Sequence, residues 1–404
     1  MGSYVPDLPA LHMETPCVLS RELSRAAGCN IWLKLENLQP SGSFKSRGIG
    51  TMMSRALLTS SSGRAHFHCS SGGNAGLACA EAARTLGQPC DVFLSAPTPD
   101  VVMEKLRALG ATPHRATSGA WPEADALCRA AVASNPDGVY VPPFDHPLVW
   151  EGNSTIVDEL ASLEAKGHFR SAGTSNGAIN AIVCSVGGGG LLNGVMEGIS
   201  RNYGSLPRSS SQSQTRPAVL AIETSGADSL AASIRAGSHV SLPGITSVAT
   251  TLGAPRVSEQ TYRWAEKCSA TTLTYQPADC SPEIASTGTA KSNLKTQPSH
   301  SSSEEQEITT RLVSAVVSDA AAVSACARFL DDARFLVEVA CGATLTAAYN
   351  EGLLREALGP HLHRSSPSEE EGEEWARMNV VLVVCGGASI TMDGLIKYRE
   401  KFGV

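Results

Sequence analysis

Short apolar runs alternate along the chain with longer segments that carry apolar residues at helical spacing. Several of the runs are continuous rather than alternating, which is typical of strands buried on both faces of a sheet. The predicted strands are IWLKLE (31–36), AHFHCS (65–70), CDVFLSA (90–96), NAIVCSV (180–186), AVLAIE (218–223) and VVLVVCG (380–386). Two of the intervening segments, 74–87 and 101–110, predict helices that end at a glycine. The alternation predicts an α/β protein with largely parallel sheets.

Three polar stretches interrupt this alternation and contain few apolar residues. They comprise residues 201–216, about 281–308 and 362–374, and they are rich in Ser, Pro, Thr and charged residues. Such segments bury too little surface to offset the loss of chain entropy, so we interpret them as flexible surface inserts. A phosphorylated or partner-binding loop is the alternative, which the lack of aromatic residues in 281–308 disfavours.

Size, charge and cysteine content narrow the class of protein. The 404 residues exceed what one compact core usually holds, so two domains are expected. A net charge of −7, from 32 basic and 39 acidic side chains, argues against nucleic-acid and anionic-membrane partners. The 12 cysteines are scattered without zinc-like spacing, and we expect buried, reduced thiols. With neither a signal-peptide pattern nor a membrane-spanning run, a cytoplasmic location is expected.

The first candidate for chemistry is the segment PSGSFKSRG (40–48), which joins a predicted strand to a predicted helix. Lys45 falls in the first turn of that helix, where the macrodipole opposes an ammonium and lowers its pKa. A lysine that is readily deprotonated suits Schiff-base chemistry. Taken alone, the segment favours an exposed lysine near a helix cap, because lysine is common.

Two glycine-rich turns each join a predicted strand to a predicted helix. In SSGGNAG (70–76), Gly72 and Gly73 let a ligand approach the backbone, and the exposed N–H groups suit a carboxylate. In SVGGGGLLNG (185–194), the N–H groups suit a phosphate at the helix N-terminus. The spacing fits neither a nucleotide P-loop nor a full dinucleotide fingerprint. A tight turn without a ligand is the alternative for the first of them.

A fourth segment, VVCGGASI (383–390), places Cys385 at the end of a buried strand before a Gly-Gly turn. A thiol there could face a ring nitrogen, although, taken alone, the residue is better explained as a packed core cysteine. The four segments, in their residues and in their order along the chain, resemble those of the fold-type II pyridoxal-phosphate enzymes. The resemblance is strongest to the serine dehydratase and serine dehydratase-like branch. YVPPFDHPLVWEGNSTIV, LPGITSVATTLG and LVEVACGAT extend the resemblance from about Thr15 to the carboxy terminus.

The resemblance implies a fold like that of the tryptophan synthase β subunit. Two lobes are expected, each with a mostly parallel twisted sheet flanked by helices. Residues 1–38 and 146–404 would form a large cofactor-binding domain that carries the three inserts. Residues 39–145 would form a small domain. A homodimer is also implied.

The resemblance also assigns roles residue by residue. Lys45 is implied to form the Schiff base with pyridoxal 5′-phosphate and to act as general base, and Phe44 to pack beside the cofactor. Asn74 is implied to bind the 3′-oxygen, and Cys385 the pyridine nitrogen. Backbone N–H groups of five residues are implied to hold the phosphate: Gly187, Gly188, Gly189, Gly190 and Leu191. A further set is implied to bind the substrate carboxylate: Ser41, Ser70, Ser71, Gly72 and Ala75.

AIETSGADS (221–229) resembles the monovalent-cation site of the family, for which potassium is the expected ion. The implied ligands are oxygens of five residues: Glu223, Ala227, Ser229, Leu252 and Ala254. The alternative is that Glu223 is a carboxylate that caps the start of a helix.

The implied reaction is dehydration of L-serine to pyruvate and ammonia, and of L-threonine to 2-oxobutanoate. A thiol rather than a carboxylate beside the ring nitrogen stabilises a carbanion less, so prompt loss of the β-hydroxyl is expected. Gly72 stands where related serine racemases carry a serine, so racemisation is not expected. Ala388-Ser389 departs from the Ser-Asn expected in dehydratases. No regulatory domain follows Val404, which favours a catabolic or secondary-metabolic role.

Three other functions remain open at this stage. The chain could be a threonine-preferring dehydratase, or a β-replacing enzyme of the cysteine synthase kind. It could also be a catalytically silent relative that serves as a binding or regulatory module. In each case the expected ligand is a small amino acid.

Overall fold

The computed structural model describes residues 8–117, 121–170, 177–204, 216–274, 310–359 and 369–404. Within these ranges, the strands are β1 (Cys17–Ser20), β2 (Asn30–Lys34), β3 (His66–Cys69), β4 (Cys90–Leu94), β5 (Thr112–Arg115), β6 (Gly138–Tyr140), β7 (Ala181–Ser185), β8 (Ala218–Thr224), β9 (Thr271–Thr274), β10 (Leu312–Val317) and β11 (Asn379–Val383). The α-helices are α1 (Arg21–Ala27), α2 (Lys45–Thr59), α3 (Asn74–Leu86), α4 (Asp100–Ala108), α5 (Trp121–Ala133), α6 (Pro147–Ala165), α7 (Gly190–Tyr203), α8 (Ser229–Ala236), α9 (Glu259–Lys267), α10 (Asp319–Ala333), α11 (Val339–Tyr349), α12 (Glu351–Leu358), α13 (Glu369–Ala376) and α14 (Met392–Phe402).

The strands form two separate sheets. The large sheet has the order β1-β2-β11-β7-β8-β10-β9, and the small sheet has the order β5-β4-β3-β6. Only the β1–β2 pair is antiparallel among the described strands. The central strands of the large sheet are buried along their whole length, as expected when helices cover both faces. The predicted α/β fold with two mostly parallel sheets is confirmed.

All six runs predicted as strands lie in strands, with one instructive difference at the end of IWLKLE. The strand β2 ends at Lys34, and Glu36 begins a short 3-10 helix (Glu36–Leu38) instead of continuing the strand. The reason is a buried ion-pair network, in which Arg47 Nε lies 2.7 Å from Glu36 Oε2. Arg47 also pairs with Glu159 on α6, as does Lys34. The network fixes the start of α2 against α6 because a buried charge is costly without its partner.

Apolar residues form two main cores, one around each sheet. The larger core packs α1, α6, α7, α10 and α11 against the large sheet. The smaller core lies around β3, β4, α2 and α3. Leu11 and Val149 pack in the smaller core although the predicted boundaries place them in the large domain. The division at 38/39 and 145/146 stays a prediction.

The predicted surface inserts need correction at two ends. Residues 201–203 of the stretch 201–216 form the last turn of α7, because Arg201 pairs with Asp158 at 2.7 Å and Tyr203 is buried. Residues 369–374 of the stretch 362–374 belong to α13, which the buried Trp375 anchors through a hydrogen bond to Ala27 O. Residues 205–215, 281–308 and 362–368 lie outside the described residues.

Two further expectations concern the cysteines and the membrane. The eleven cysteines of the described ranges form no disulfide, and all but Cys268 are buried. None of the described helices combines the length and the hydropathy that a bilayer crossing requires.

Candidate active site

Lys45 is the first residue of α2 and follows a tight turn. Gly42 holds that turn with a φ of +77°, and its carbonyl accepts a hydrogen bond from Gly387 N. The Lys45 ammonium donates to the carbonyl of Pro143 at 2.5 Å and lies 5.1 Å from the centre of the Phe44 ring. The lysine predicted as the reactive amine is therefore held by two contacts at the start of a helix.

Burial lowers the pKa of Lys45 from 10.5 to about 8. The thiols of Cys69 and Cys385 lie close enough to oppose this shift, but their effect is smaller. The predicted direction of the shift is confirmed, whereas its main cause is desolvation rather than the helix dipole. At pH 8 about half of the Lys45 side chains carry the free amine that nucleophilic chemistry requires.

Residues Gly187–Gly190 connect β7 to α7 in a space with no room for side chains. A Cβ on Gly188 would lie 2.4 Å from the Phe144 ring, and one on Gly189 would lie 1.8 Å from Thr261 Oγ1. Gly189 also has a φ of +93°. Because the first N–H groups of a helix lack acceptors within the helix, the start of α7 offers them to a ligand.

A buried polar network supports this glycine loop from behind. Asn193 donates to Ser258 Oγ at 2.9 Å, and Thr261 Oγ1 donates back to Asn193 Oδ1 at 2.9 Å. Ser258 N donates to the carbonyl of Gly188 at 2.9 Å. The loop is thus held in one conformation before any ligand binds, as an anion site requires.

Asn74 begins α3 and joins it to the other lobe of the molecule. Its side-chain amide donates to Glu338 Oε2 at 2.9 Å and accepts from Ala388 N at 3.1 Å. The buried Glu338 carboxylate also accepts from Thr251 Oγ1 at 2.8 Å and from Ser389 N at 2.9 Å. The motif LVEVACGAT contains Glu338, but the sequence analysis gave this residue no role.

Cys385 ends the buried run after β11 and lies behind Lys45. Its carbonyl accepts from Phe44 N at 3.2 Å, and its thiol lies 3.6 Å from Ser185 Oγ. Ser185 is the last residue of β7, and Val186 separates it from the glycine loop. The sequence analysis missed Ser185 as a neighbour of Cys385, since 200 residues separate the two in the chain.

The predicted carboxylate-binding residues lie at two neighbouring turns. Ser41 is buried, with its hydroxyl 2.8 Å from Ser46 Oγ. Ser71 Oγ accepts from Gly73 N at 3.3 Å, and Ala75 is buried in the first turn of α3. Ser70 differs, because its hydroxyl donates to Asp125 at 2.6 Å on the α5 side of the small sheet.

Gly72 has less room than the sequence suggests. A Cβ built on it would lie 2.9 Å from Thr98 Oγ1 and 3.4 Å from Leu94 Cδ2. A serine at this position would therefore start towards β4 and the loop after it. Thr98 would have to move before a serine side chain could be accommodated here.

Glu223, one of the residues implied for a monovalent cation, is a buried carboxylate. Glu223 accepts from Leu230 N and Ala231 N, both at 2.8 Å, so it caps α8 as the alternative reading states. Burial raises the pKa of Glu223 to about 8. Ser229 Oγ is buried without a hydrogen-bond partner among the described residues. Ala227, Leu252 and Ala254 are also buried.

Comparison with known proteins identifies the class. The family model described as "Pyridoxal-phosphate dependent enzyme" matches residues 10–280. The chain therefore belongs to the family of pyridoxal-phosphate dependent enzymes, and the resemblance noted in the sequence is confirmed.

Relatives within this family match the chain over nearly its whole length. The chain is 37% identical over 397 residues to "L-serine dehydratase/L-threonine deaminase" of Homo sapiens, covering 98% of this chain and 96% of the relative. It is 36% identical over 393 residues to "Serine dehydratase-like" of Mus musculus, covering 97% and 95%. The structure of "a fungal L-serine ammonia-lyase from Rhizomucor miehei" matches with a TM-score of 0.72 at 30% identity, covering 98% of this chain and all of that one.

Proposed function

We propose that this chain dehydrates L-serine to pyruvate and ammonia, and L-threonine to 2-oxobutanoate and ammonia. The observation that carries the proposal is the Lys45 amine, which has a pKa of about 8 and donates to the carbonyl of Pro143. The next residue, Phe144, leaves no room for a Cβ on Gly188 of the glycine loop. The near full-length similarity to serine dehydratases supports the choice of reaction.

The site fits pyridoxal 5′-phosphate in three respects. The N–H groups of Gly187–Gly190 and Leu191 suit its phosphate, in a cradle that a Cβ would fill. Asn74 Nδ2 has a second hydrogen for the 3′-oxygen beyond the one that it donates to Glu338. Cys385 would lie against the pyridine nitrogen and Phe44 against the ring. When bound, the cofactor supplies the electron sink for a negative charge at Cα.

Lys45 is the group that would move the proton. As a free amine, its Nζ removes the Cα proton of the substrate and acts as general base. Ser41, Ser71 and Ala75 at the two turns would hold the substrate carboxylate, together with the backbone of Ser70 and Gly72. Loss of the Cα proton and of the β-hydroxyl would together amount to loss of one water. The resulting enamine would tautomerise to an imine, which water hydrolyses to the 2-oxo acid and ammonia.

Product analysis with a panel of hydroxy-amino acids tests this proposal. The holoenzyme is incubated with L-serine, L-threonine and D-serine, and pyruvate, 2-oxobutanoate and ammonia are measured. We expect equimolar 2-oxo acid and ammonia, with L-serine as the best substrate. Preference for L-threonine would move the assignment to a threonine dehydratase. Absence of both products, with cofactor bound, would support a catalytically silent relative instead.

We also propose a potassium ion near Glu223, with oxygens of Ala227, Ser229, Leu252 and Ala254 as further ligands. Two observations support it: the raised pKa of Glu223 and the unpartnered hydroxyl of Ser229. A nearby cation would favour the ionised carboxylate and use that hydroxyl. Replacing potassium with lithium should lower the activity and the melting temperature of the wild type, and Glu223→Gln should remove the difference between the two ions.

We further propose a cytoplasmic homodimer with the domain division 1–38 and 146–404 against 39–145. The unlinked buried cysteines suit a reducing compartment; Cys79 and Cys90 keep their sulfurs 3.6 Å apart without a bond. Light scattering after size-exclusion chromatography measures the oligomeric state directly. A monomer at micromolar concentration would contradict the dimer.

A further inference from the structure

Three histidines and an aspartate meet on one face of the small sheet, away from Lys45. We call His66, His68, Asp91 and His114 the histidine cluster. His66 and His68 are two residues apart on β3 and so point to the same face. His68 lies opposite Asp91 of β4 in the sheet register, and His114 comes from β5.

The nitrogen and oxygen atoms of the histidine cluster converge. His66 Nε2 lies 2.9 Å from Asp91 Oδ2, and His68 Nδ1 lies 3.5 Å from the same oxygen. Ligand atoms of these three residues all lie within 4.8 Å of one another. Atoms bound tetrahedrally to zinc at about 2.0–2.1 Å are separated by about 3.4 Å, so only small side-chain movements are needed.

His114 brings a fourth side chain to the same carboxylate. Its Nε2 lies 3.1 Å from Asp91 Oδ1, and its ring stacks on Phe93 with the centroids 4.8 Å apart. His66 and His68 also stack on each other, at 4.3 Å. The stacking fixes the imidazole rings and so lowers the entropy cost of gathering them around an ion.

The environment of His68 indicates that the histidine cluster binds a ligand. The residue is only 2% exposed, yet neither ring nitrogen has a hydrogen-bond partner among the described residues. A buried imidazole left without partners is destabilising, and an ion bound at Nδ1 would satisfy one of the two nitrogens.

Asn135 sets the orientation of the His66 ring. The side-chain amide of Asn135 lies 2.9 Å from His66 Nδ1 and directs Nε2 towards Asp91. The amide orientation is fixed, because Asn135 Oδ1 accepts from Asp137 N at 3.0 Å. Asn135 Nδ2 therefore donates to His66 Nδ1, and a metal on Nε2 would displace the hydrogen that faces Asp91.

We propose that the histidine cluster binds one divalent transition-metal ion of the zinc class, through His66, His68 and Asp91 with His114 as fourth ligand. Imidazole and carboxylate ligands suit zinc, cobalt and nickel better than magnesium or calcium. The ion would link β3, β4 and β5 near the start of β3. The turn 70–76, which carries predicted substrate-binding residues, follows the other end of β3. Its role would be structural: it would stabilise the small sheet, which positions the turn 70–76.

Titration of the untagged holoenzyme with cobalt(II) tests the site. We expect saturation at one ion per chain, visible absorption bands of tetrahedral cobalt, and displacement by zinc(II). Thermal unfolding should move to higher temperature with zinc and return when a chelator is added. Cobalt held by the oxygen atoms of the cofactor phosphate and water would be octahedral, so it would not give the intense tetrahedral bands.

Substitutions decide which residues hold the ion. Asp91→Asn and His66→Gln should weaken cobalt binding at least about tenfold, since each removes one ligand. His114→Gln changes an exposed residue and is the variant least disruptive to folding. His12→Gln, outside the histidine cluster, is the matched control and should bind as the wild type does. Cobalt binding that is absent from the wild type, or equal in the wild type, His66→Gln and His114→Gln, would overturn the proposal.

Discussion

Lys45 and Glu223 are two groups of opposite charge type that burial shifts towards their neutral forms. The pKa of Lys45 falls to about 8 and that of Glu223 rises to about 8. In both cases desolvation is the largest cause, because a low-dielectric interior disfavours the charged form. Burial thereby gives Lys45 a usable free amine. For Glu223 it favours the protonated form, and a nearby cation would favour the ionised carboxylate instead.

The pKa of Lys45 predicts how cofactor binding depends on pH. Apoenzyme mixed with pyridoxal phosphate should regain borohydride-reducible absorbance at a rate that rises about tenfold per pH unit at acid pH. The rate should level off above about pH 8, because the amine is deprotonated above its pKa. A rate that keeps rising to about pH 10, where an exposed lysine titrates, would contradict the buried environment of Lys45.

Gly72 and Thr98 together predict how the enzyme treats the configuration at Cα. Wild type should form pyruvate from L-serine with almost no D-serine. Lys45 can move a proton on only one face of Cα, and Gly72 has no side chain that could serve the opposite face. Gly72→Ser should cost about 1–3 kcal/mol in unfolding free energy through contact with Thr98. Gly72→Ser combined with Thr98→Ala should restore stability and gain some racemase activity or D-serine dehydration.

Chiral chromatography and urea unfolding of the three proteins measure these effects, with Thr98→Ala alone as the control. Substantial D-serine from the wild type would mean that another group supplies the second proton. A Gly72→Ser variant as stable as the wild type would show that Thr98 moves aside without cost.

At the level of helices and strands, the hydrogen bond between Asn74 and Glu338 joins the start of α3 to the start of α11. Glu338→Ala leaves buried partners unsatisfied, so unfolding free energy should fall by about 3 kcal/mol. Glu338→Gln keeps some of these bonds and should lose about 1 kcal/mol. Urea unfolding at saturating cofactor measures both, with the exposed Glu374→Ala as control. Equal stability of the alanine variant and the wild type would contradict a structural role.

Glu338 also illustrates why part of the site could not be predicted from the sequence. Its partner Asn74 lies 264 residues away, and no local pattern records such a contact. Lys45 and the glycine loop, by contrast, belong to strand–turn–helix segments whose chemistry is local. The helical ends of the stretches 201–216 and 362–374 were missed for a related reason. They depend on contacts of Arg201 with Asp158 and of Trp375 with Ala27.

The stretch 281–308 lies outside the described residues and stays a prediction. Replacing it with a short Gly/Ser linker should leave serine dehydration within about twofold of wild type, because the entropy of loop closure changes slowly with length. Activity and cofactor content of the shortened protein are the measurements. Loss of folding or of cofactor would contradict its interpretation as a surface insert.

For the whole molecule, the two sheets place the segments of the site against one another. Ser43 forms a bridge with Gly386, and the carbonyl of Pro143 binds Lys45. The alternation of runs in the sequence predicted parallel sheets, and the family resemblance implied that there are two of them. Five of the described strands were not among the predicted runs. Four of them, β1, β5, β6 and β9, are edge strands of three or four residues that are partly exposed. The fifth, β10, is a buried strand of six residues that was missed.

The most direct test of whether Lys45 carries the reaction is to measure pyruvate formation from L-serine by Lys45→Ala. Wild type and Lys397→Ala, which changes an exposed lysine, are measured beside it. All three proteins should unfold at similar temperatures. Wild type and Lys397→Ala should form pyruvate and ammonia in equal amounts and show the borohydride-sensitive absorbance. Lys45→Ala should lose both the absorbance and the turnover, by about a thousandfold or more. Serine dehydration by Lys45→Ala at a rate near that of wild type would contradict the assignment.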